Sequence, residues 1–138
     1  MINKPTKLYQ AHPDWLLELK GYDQPEERHQ YVLDLTKPEV FNYLLERMDW
    51  LLGTHNIDYI KWDHNRRLVQ PGSNGKAAVT EQTKAAYLLF DELQKRYPQV
   101  EIESCSSGGA RVDYEILKRA QRFWSSDNID AYTRQQIH

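Results

Sequence analysis

Two aspartates close apolar runs: Asp63 ends the run Ile57 to Asp63 (IDYIKWD), and Asp127 follows Arg122 to Ser126 (RFWSS). Two carboxyls flanking a glycosidic bond are the usual machinery of glycoside hydrolysis, and a separation of about 5–5.5 Å marks the retaining, double-displacement route. Lys61 precedes Asp63 by two residues, so on a strand both side chains share a face. There the ammonium would hold Asp63 ionised and donate to a substrate hydroxyl. A lysine turned inward is costly without such partners.

The run Cys105-Ser106-Ser107-Gly108-Gly109-Ala110-Arg111 offers small side chains and backbone N–H groups free to face a ligand. It matches neither phosphate-cradling glycine pattern. Cys105 as a nucleophile would need a base, and none of the five histidines has a local signature that supplies one. The histidines are also scattered without paired zinc-ligand spacing, so no metal site is expected.

The elements that must carry these residues alternate. Gln30 to Leu35 reads as a strand, followed by a helix to about Gly53 with Thr36 as cap and Glu39 as capping-box partner. Ile57 to Asp63 reads as a second strand, Thr80 to Arg96 as a helix, and Val100 to Cys105 as a third strand. Asp113 to Ala120 reads as a helix and Arg122 to Ser126 as a fourth strand. Strand–helix alternation predicts an α/β fold of parallel βαβ units. Each strand candidate ends at a polar residue, namely Asp34, Asp63, Cys105 and Asp127, as at the carboxyl-end mouth of a βα barrel. The plainer alternative, an aspartate that caps the next helix, stays open for Asp34 and Asp127.

At 138 residues the chain is short for a complete eight-fold barrel, which usually needs roughly 250. A net charge of −2 with both signs interspersed excludes a phosphate-neutralising face, so no nucleic-acid partner is expected. No apolar run approaches a membrane span, and no leader pattern opens the chain. One cysteine needs no oxidising compartment, which suits the cytoplasm. The four tryptophans and nine tyrosines can serve a core or stack on sugar faces.

The stretches DYIKWDHNR (58–66), ESCSSGGARVDYEIL (103–117) and WSSDNIDAYTR (124–134), with LYQAHPDW and RHQYVLDL upstream, resemble glycoside hydrolase family 36, the bacterial-type α-galactosidases. The resemblance runs over essentially the whole chain. It implies that Asp63 is the nucleophile and Asp127 the acid/base. It also implies that Arg28, Lys61, Asn65, Cys105 and Gly108 contact the galactose and that Trp124 lies beside the acid/base. The implied reaction releases terminal α-1,6-linked galactose from melibiose- or raffinose-type sugars with retention and without cofactor, in a homo-oligomer when full-length. The implied architecture is about half of a (β/α)8 barrel, its third to sixth βα units over residues 1–138. The family's N-terminal β-sandwich, early strands and C-terminal β-domain would be absent.

Departures from the family pattern are Gln10 before His12-Pro13-Asp14-Trp15, His64 after Asp63, Ala110 in the glycine run and Ile129 after Asp127-Asn128. None touches the two carboxylates. Alternatives within the resemblance are a relative that transfers galactose or prefers α-N-acetylgalactosamine, and a catalytically incomplete fragment.

Overall fold

The computed structural model describes residues 1–137. Helix α1 (Lys7–Ala11) and a 3₁₀ turn (Pro13–Trp15) lead to α2 (Pro38–Thr54), then β1 (Tyr59–Asp63). A small antiparallel hairpin, β2 (Gly72–Ser73) with β3 (Lys76–Ala77), interrupts the next loop before α3 (Val79–Arg96). Strand β4 (Glu101–Cys105), α4 (Tyr114–Leu117), β5 (Arg122–Phe123) and α5 (Ala131–Ile137) complete the order.

Strands β1, β4 and β5 form one parallel sheet in that spatial order, with α3 and α4 as crossovers. The α/β class and parallel sheet expected from the alternation are therefore present. The register sets Tyr59 opposite Glu101, Lys61 opposite Glu103 and Asp63 opposite Cys105. Because side chains alternate along a strand, Ile60, Trp62 and Ile102 fall on the other face. There Leu89 and Leu93 of α3 join Leu45, Leu52 and Val100, with Ile60 and Trp62 packed against them. Phe90, Ile102, Ile116 and Ala120 form the adjoining cluster, and the Trp62 and Phe90 rings lie 4.9 Å apart. Burial of this face against α2, α3 and α4 orients the opposite one.

The first strand candidate differs. Residues 30–35 make only isolated antiparallel bridges, Gln30 with Glu27, Tyr31 with Ile2 and Leu33 with Leu16. The buried Gln82 side chain of α3 explains this: it donates to Leu33 O at 3.0 Å and accepts from Leu35 N at 2.8 Å. Those are backbone groups that a neighbouring strand would otherwise use. The expected capping box also fails to form. Helix α2 has Lys37 at its N-cap with no side-chain cap, and Thr36 instead bonds Asp34 Oδ1 at 2.6 Å and Ser73 at 2.9 Å. Asp34, fully buried, accepts the Thr36 N–H as well, so it closes a local turn.

Strand β5 ends at Phe123, three residues before the expected Ser126. After Trp124 N donates to Ser104 O at 2.9 Å, the chain leaves the sheet. Helix α4 is likewise shorter than expected, with Asp113 as its N-cap accepting from Glu115 N and Ile116 N. No helix among the described residues is long and apolar enough to cross a membrane.

Candidate active site

Apart from Arg28 and Asp34, the polar residues singled out in the sequence collect in β1, at the carboxyl end of β4 and in the segment after β5. Asp63 is the last residue of β1. Burial pushes its carboxyl up, but bonds from the Asn65 amide, the Cys105 thiol and the His64 backbone, with the Lys61 charge, outweigh it and hold the pKa below the ordinary value. The result is an ionised, oriented carboxylate, which is the state a nucleophile needs.

Asn65 supports both sides of this arrangement. Its Nδ2 donates to Asp63 Oδ2, while its Oδ1 accepts from Ser107 N at 2.9 Å. Cys105 is buried, and burial first, then the bond to Asp63, raises its thiol pKa. A thiol held protonated beside a carboxylate is a donor to it rather than a nucleophile.

Gly108, at φ +82°, turns the loop after β4 back on itself. A Cβ there would meet Ser126 Cα at 3.2 Å and Asp127 N at 3.3 Å, and one on Gly109 would meet Ser125 O at 2.6 Å. The glycines thus let this loop lie directly on the Ser125–Asp127 backbone, which brings the segment carrying Asp127 against the segment anchored to Asp63. Arg111 braces the other side, donating to Ser104 Oγ at 3.0 Å, Trp62 O at 2.6 Å and Cys105 O at 3.0 Å.

Asp127 is exposed and accepts the Trp124 indole N–H at 2.7 Å. Lys61 stands with its Nζ 4.0 Å from the Trp124 ring centroid. Lys61, Asp63, Asn65, Cys105, Gly108, Trp124 and Asp127 are thereby linked by direct contacts. Arg28 is not. It sits at the tip of a tight hairpin, where Arg28 and His29 have φ of 54° and 59° and Glu27 and Gln30 bond each other. Its neighbour Glu27 pairs with Arg67 at 2.7 Å, tying the hairpin to the loop after Asp63. Arg28 itself makes no hydrogen bond or ion pair among the described residues.

Sequence reading missed Glu103 and Tyr59. Glu103 lies 3.6 Å from Lys61 and accepts the Tyr59 hydroxyl. The period-two placement of Glu103 two residues before Cys105 was the available signal, but its partner depends on the β1–β4 register. Asp130, four residues before Arg134, caps α5 by accepting from Thr133 N and Oγ1 at 2.8 Å, while Arg134 donates to Ser126 O and Asn128 O at 3.0 Å. Arg134 thus helps hold the Asp127 turn.

Comparison with known proteins gives a consistent set. The sequence model of the family described as Melibiase matches residues 1–138. The chain is 55% identical over 134 residues to an α-galactosidase of Escherichia coli, covering 97% of this chain and 19% of that protein. It is 41% identical to probable α-galactosidase G of Emericella nidulans, covering 97% of this chain and 18% of that protein. Among solved structures, the GH36 α-galactosidase AgaA of Geobacillus stearothermophilus superposes with TM-score 0.92 at 34% identity, over 99% of this chain and 20% of that one. AgaA variants in complex with raffinose and with stachyose match with the same TM-score. The chain spans about a fifth of the length of these relatives.

Proposed function

The chain belongs to the Melibiase family, and from that premise we propose that it carries the catalytic centre of a retaining α-galactosidase acting on α-1,6-linked galactose of raffinose-type sugars. The observation that carries this reading is the linkage of Asp63 and Asp127 through the glycine loop and Trp124. One carboxylate is held ionised by its neighbours, and the other is exposed at the rim on an indole N–H.

Asp63 attacks the anomeric carbon, forming the glycosyl–enzyme bond, while Asp127 gives its proton to the departing glycosidic oxygen. In the second half, Asp127 takes a proton from water as the water oxygen attacks the anomeric carbon, and Asp63 leaves as carboxylate. Lys61, Asn65, Cys105, Gly108 and Trp124 surround the sugar, with Arg28 reaching it from the hairpin. Relatives solved with raffinose and stachyose support the substrate class.

The three-stranded parallel sheet, covered by helices on one face and polar on the other, supplies three of the four strands of such a half (β/α)8 barrel, its third to sixth βα units, with residues 30–35 in the place of the first. The remaining strands and flanking β-domains of such an enzyme would complete the mouth. An oligomer in the full-length context and a cytoplasmic location accord with this reading.

The test replaces the matching segment of the E. coli α-galactosidase with this chain and follows hydrolysis of an aryl α-galactoside, with the β-anomer as control. An active chimera that fails on the aryl substrate with Asp63→Ala, and on raffinose with Asp127→Ala, supports the assignment. Activity that survives Asp63→Ala sinks it.

A further inference from the structure

The open face of β1 and β4 holds a carboxylate that the two-step chemistry leaves without a role. Glu103 is opposite Lys61 in the β1–β4 register, and its side chain is 12% exposed. Its Oε1 lies 3.6 Å from Lys61 Nζ, and its Oε2 accepts the Tyr59 hydroxyl. Neighbouring Glu101 is already answered by Arg122 at 2.8 Å, so among the described residues Lys61 is the cation within ion-pair distance of Glu103. The Lys61 ammonium in turn lies over the Trp124 ring, and the Trp124 N–H bonds Asp127. A continuous line of contacts therefore runs Tyr59, Glu103, Lys61, Trp124, Asp127.

We propose that Glu103 is a positioning residue: it holds the Lys61 ammonium on the face of Trp124, and through that contact fixes the indole that orients Asp127, while Tyr59 locks the Glu103 carboxylate from its other oxygen. A lysine stem has several rotatable bonds, and one ion pair confines it weakly. An ion pair from one side and an aromatic face on the other define a point. The ammonium is thus set where it acts on both halves of the site, lowering the Asp63 pKa and contacting the indole that holds Asp127. The Glu103 bond, ahead of burial, pushes the Tyr59 phenol up to about 12. The catalytic consequence rests on the hydrolytic reading above, but the contact line does not.

The test is the indole N–H resonance of Trp124 in the isotope-labelled chain, identified by its loss in Trp124→Phe. Glu103→Gln and Lys61→Met should each displace it, and the double variant should displace it no further than Lys61→Met alone, because both act through one ammonium. Tyr59→Phe, which removes a single hydroxyl, should move the signal in the direction of Glu103→Gln and by less. In the active chimera, Glu103→Gln should lower kcat on the order of tenfold with a smaller change in KM.

A Trp124 signal unmoved by Glu103→Gln, with the other tryptophan signals in place, overturns the proposal. So do additive displacements in the double variant. Should Glu103→Gln fail to fold, a Trp124 signal indifferent to Tyr59→Phe overturns it. A chimera inactive in every form would remove the hydrolytic reading and leave the indole signal to decide the positioning role.

Discussion

The two faces of β1 and β4 are built from alternate residues of the same strands and do opposite work. Toward the helices stand Ile60, Trp62, Ile102 and Ser104, the last two almost wholly withdrawn from solvent. Toward the open side stand Tyr59, Lys61, Asp63 and Glu103, three of them exposed. The helix face gains stability by removing apolar area from water. The open face places ionisable groups close together, which costs folding free energy unless each finds a partner. Partners are found: Lys61 with Glu103, Tyr59 with Glu103, and Asp63 with Asn65 and Cys105. Strand parity thus separates what holds the sheet from what it can do.

Substitutions can break that separation, and the largest effect belongs to the open side. Asp127→Ala in the active chimera should lower turnover of an unactivated galactoside by about 10²–10⁴-fold, with a smaller loss for an aryl galactoside whose leaving group needs little protonation. Its thermal midpoint should stay with the parent, and a collapse of stability there would show that the open face also supports the fold.

The converse change is Phe90→Ala on the helix face, where Phe90 is 1% exposed. It should cost about 3–5 kcal/mol in denaturant unfolding. A loss under 1 kcal/mol, which is about the size expected of a surface change, would mean that this cluster is not the core.

Gly109→Ala sharpens the boundary between the two. Its Cβ would press on Ser125 O at 2.6 Å, so the Asp127 segment must shift. A displacement near 1 Å can cost on the order of 10²-fold in rate, so kcat should fall while the sheet's unfolding free energy changes little. Wild-type kinetics in this variant would show that the loop does not position Asp127.

The smallest effect is local and pH-dependent. Burial raises the Asp113 carboxyl, but the Tyr87 hydroxyl and two helix N–H groups of α4 outweigh it and depress its pKa. A depressed carboxyl stabilises the fold fully above its unfolded pKa, near ~3.9, and that contribution disappears as pH falls through the folded value. Asp113→Ala should therefore cost about 1 kcal/mol at neutral pH, the size of a lost N-cap. The gap between variant and parent should close below about pH 4. A gap that persists in acid would assign the loss to packing instead.

Much of this architecture was legible in order and period. The α2 and α3 helices, β1 and β4 lie within a few residues of their expected bounds, because apolar periodicity and proline or glycine punctuation are local properties. The motifs around Asp63, Cys105 and Asp127 likewise marked the neighbourhood of the site. Less legible were residues 30–35, whose strand-like composition ends in isolated bridges because Gln82, 47 residues beyond Leu35, takes the backbone groups. The Thr36 cap failed for a related reason: its hydroxyl had better partners in Asp34 and Ser73 than in the first turn of α2.

By itself, then, the sequence determined the alternation of elements, the family resemblance, and which side of each strand is polar, since these depend on residue type and spacing along one chain. Only the tertiary structure decided that Lys61 faces Glu103, that Gly108 and Gly109 lie on the Asp127 segment, and that Arg28 stands apart from the linked group. Those facts depend on sheet register and on the angle at which loops return. Both are set by long-range hydrogen bonds and packing between segments far apart in sequence.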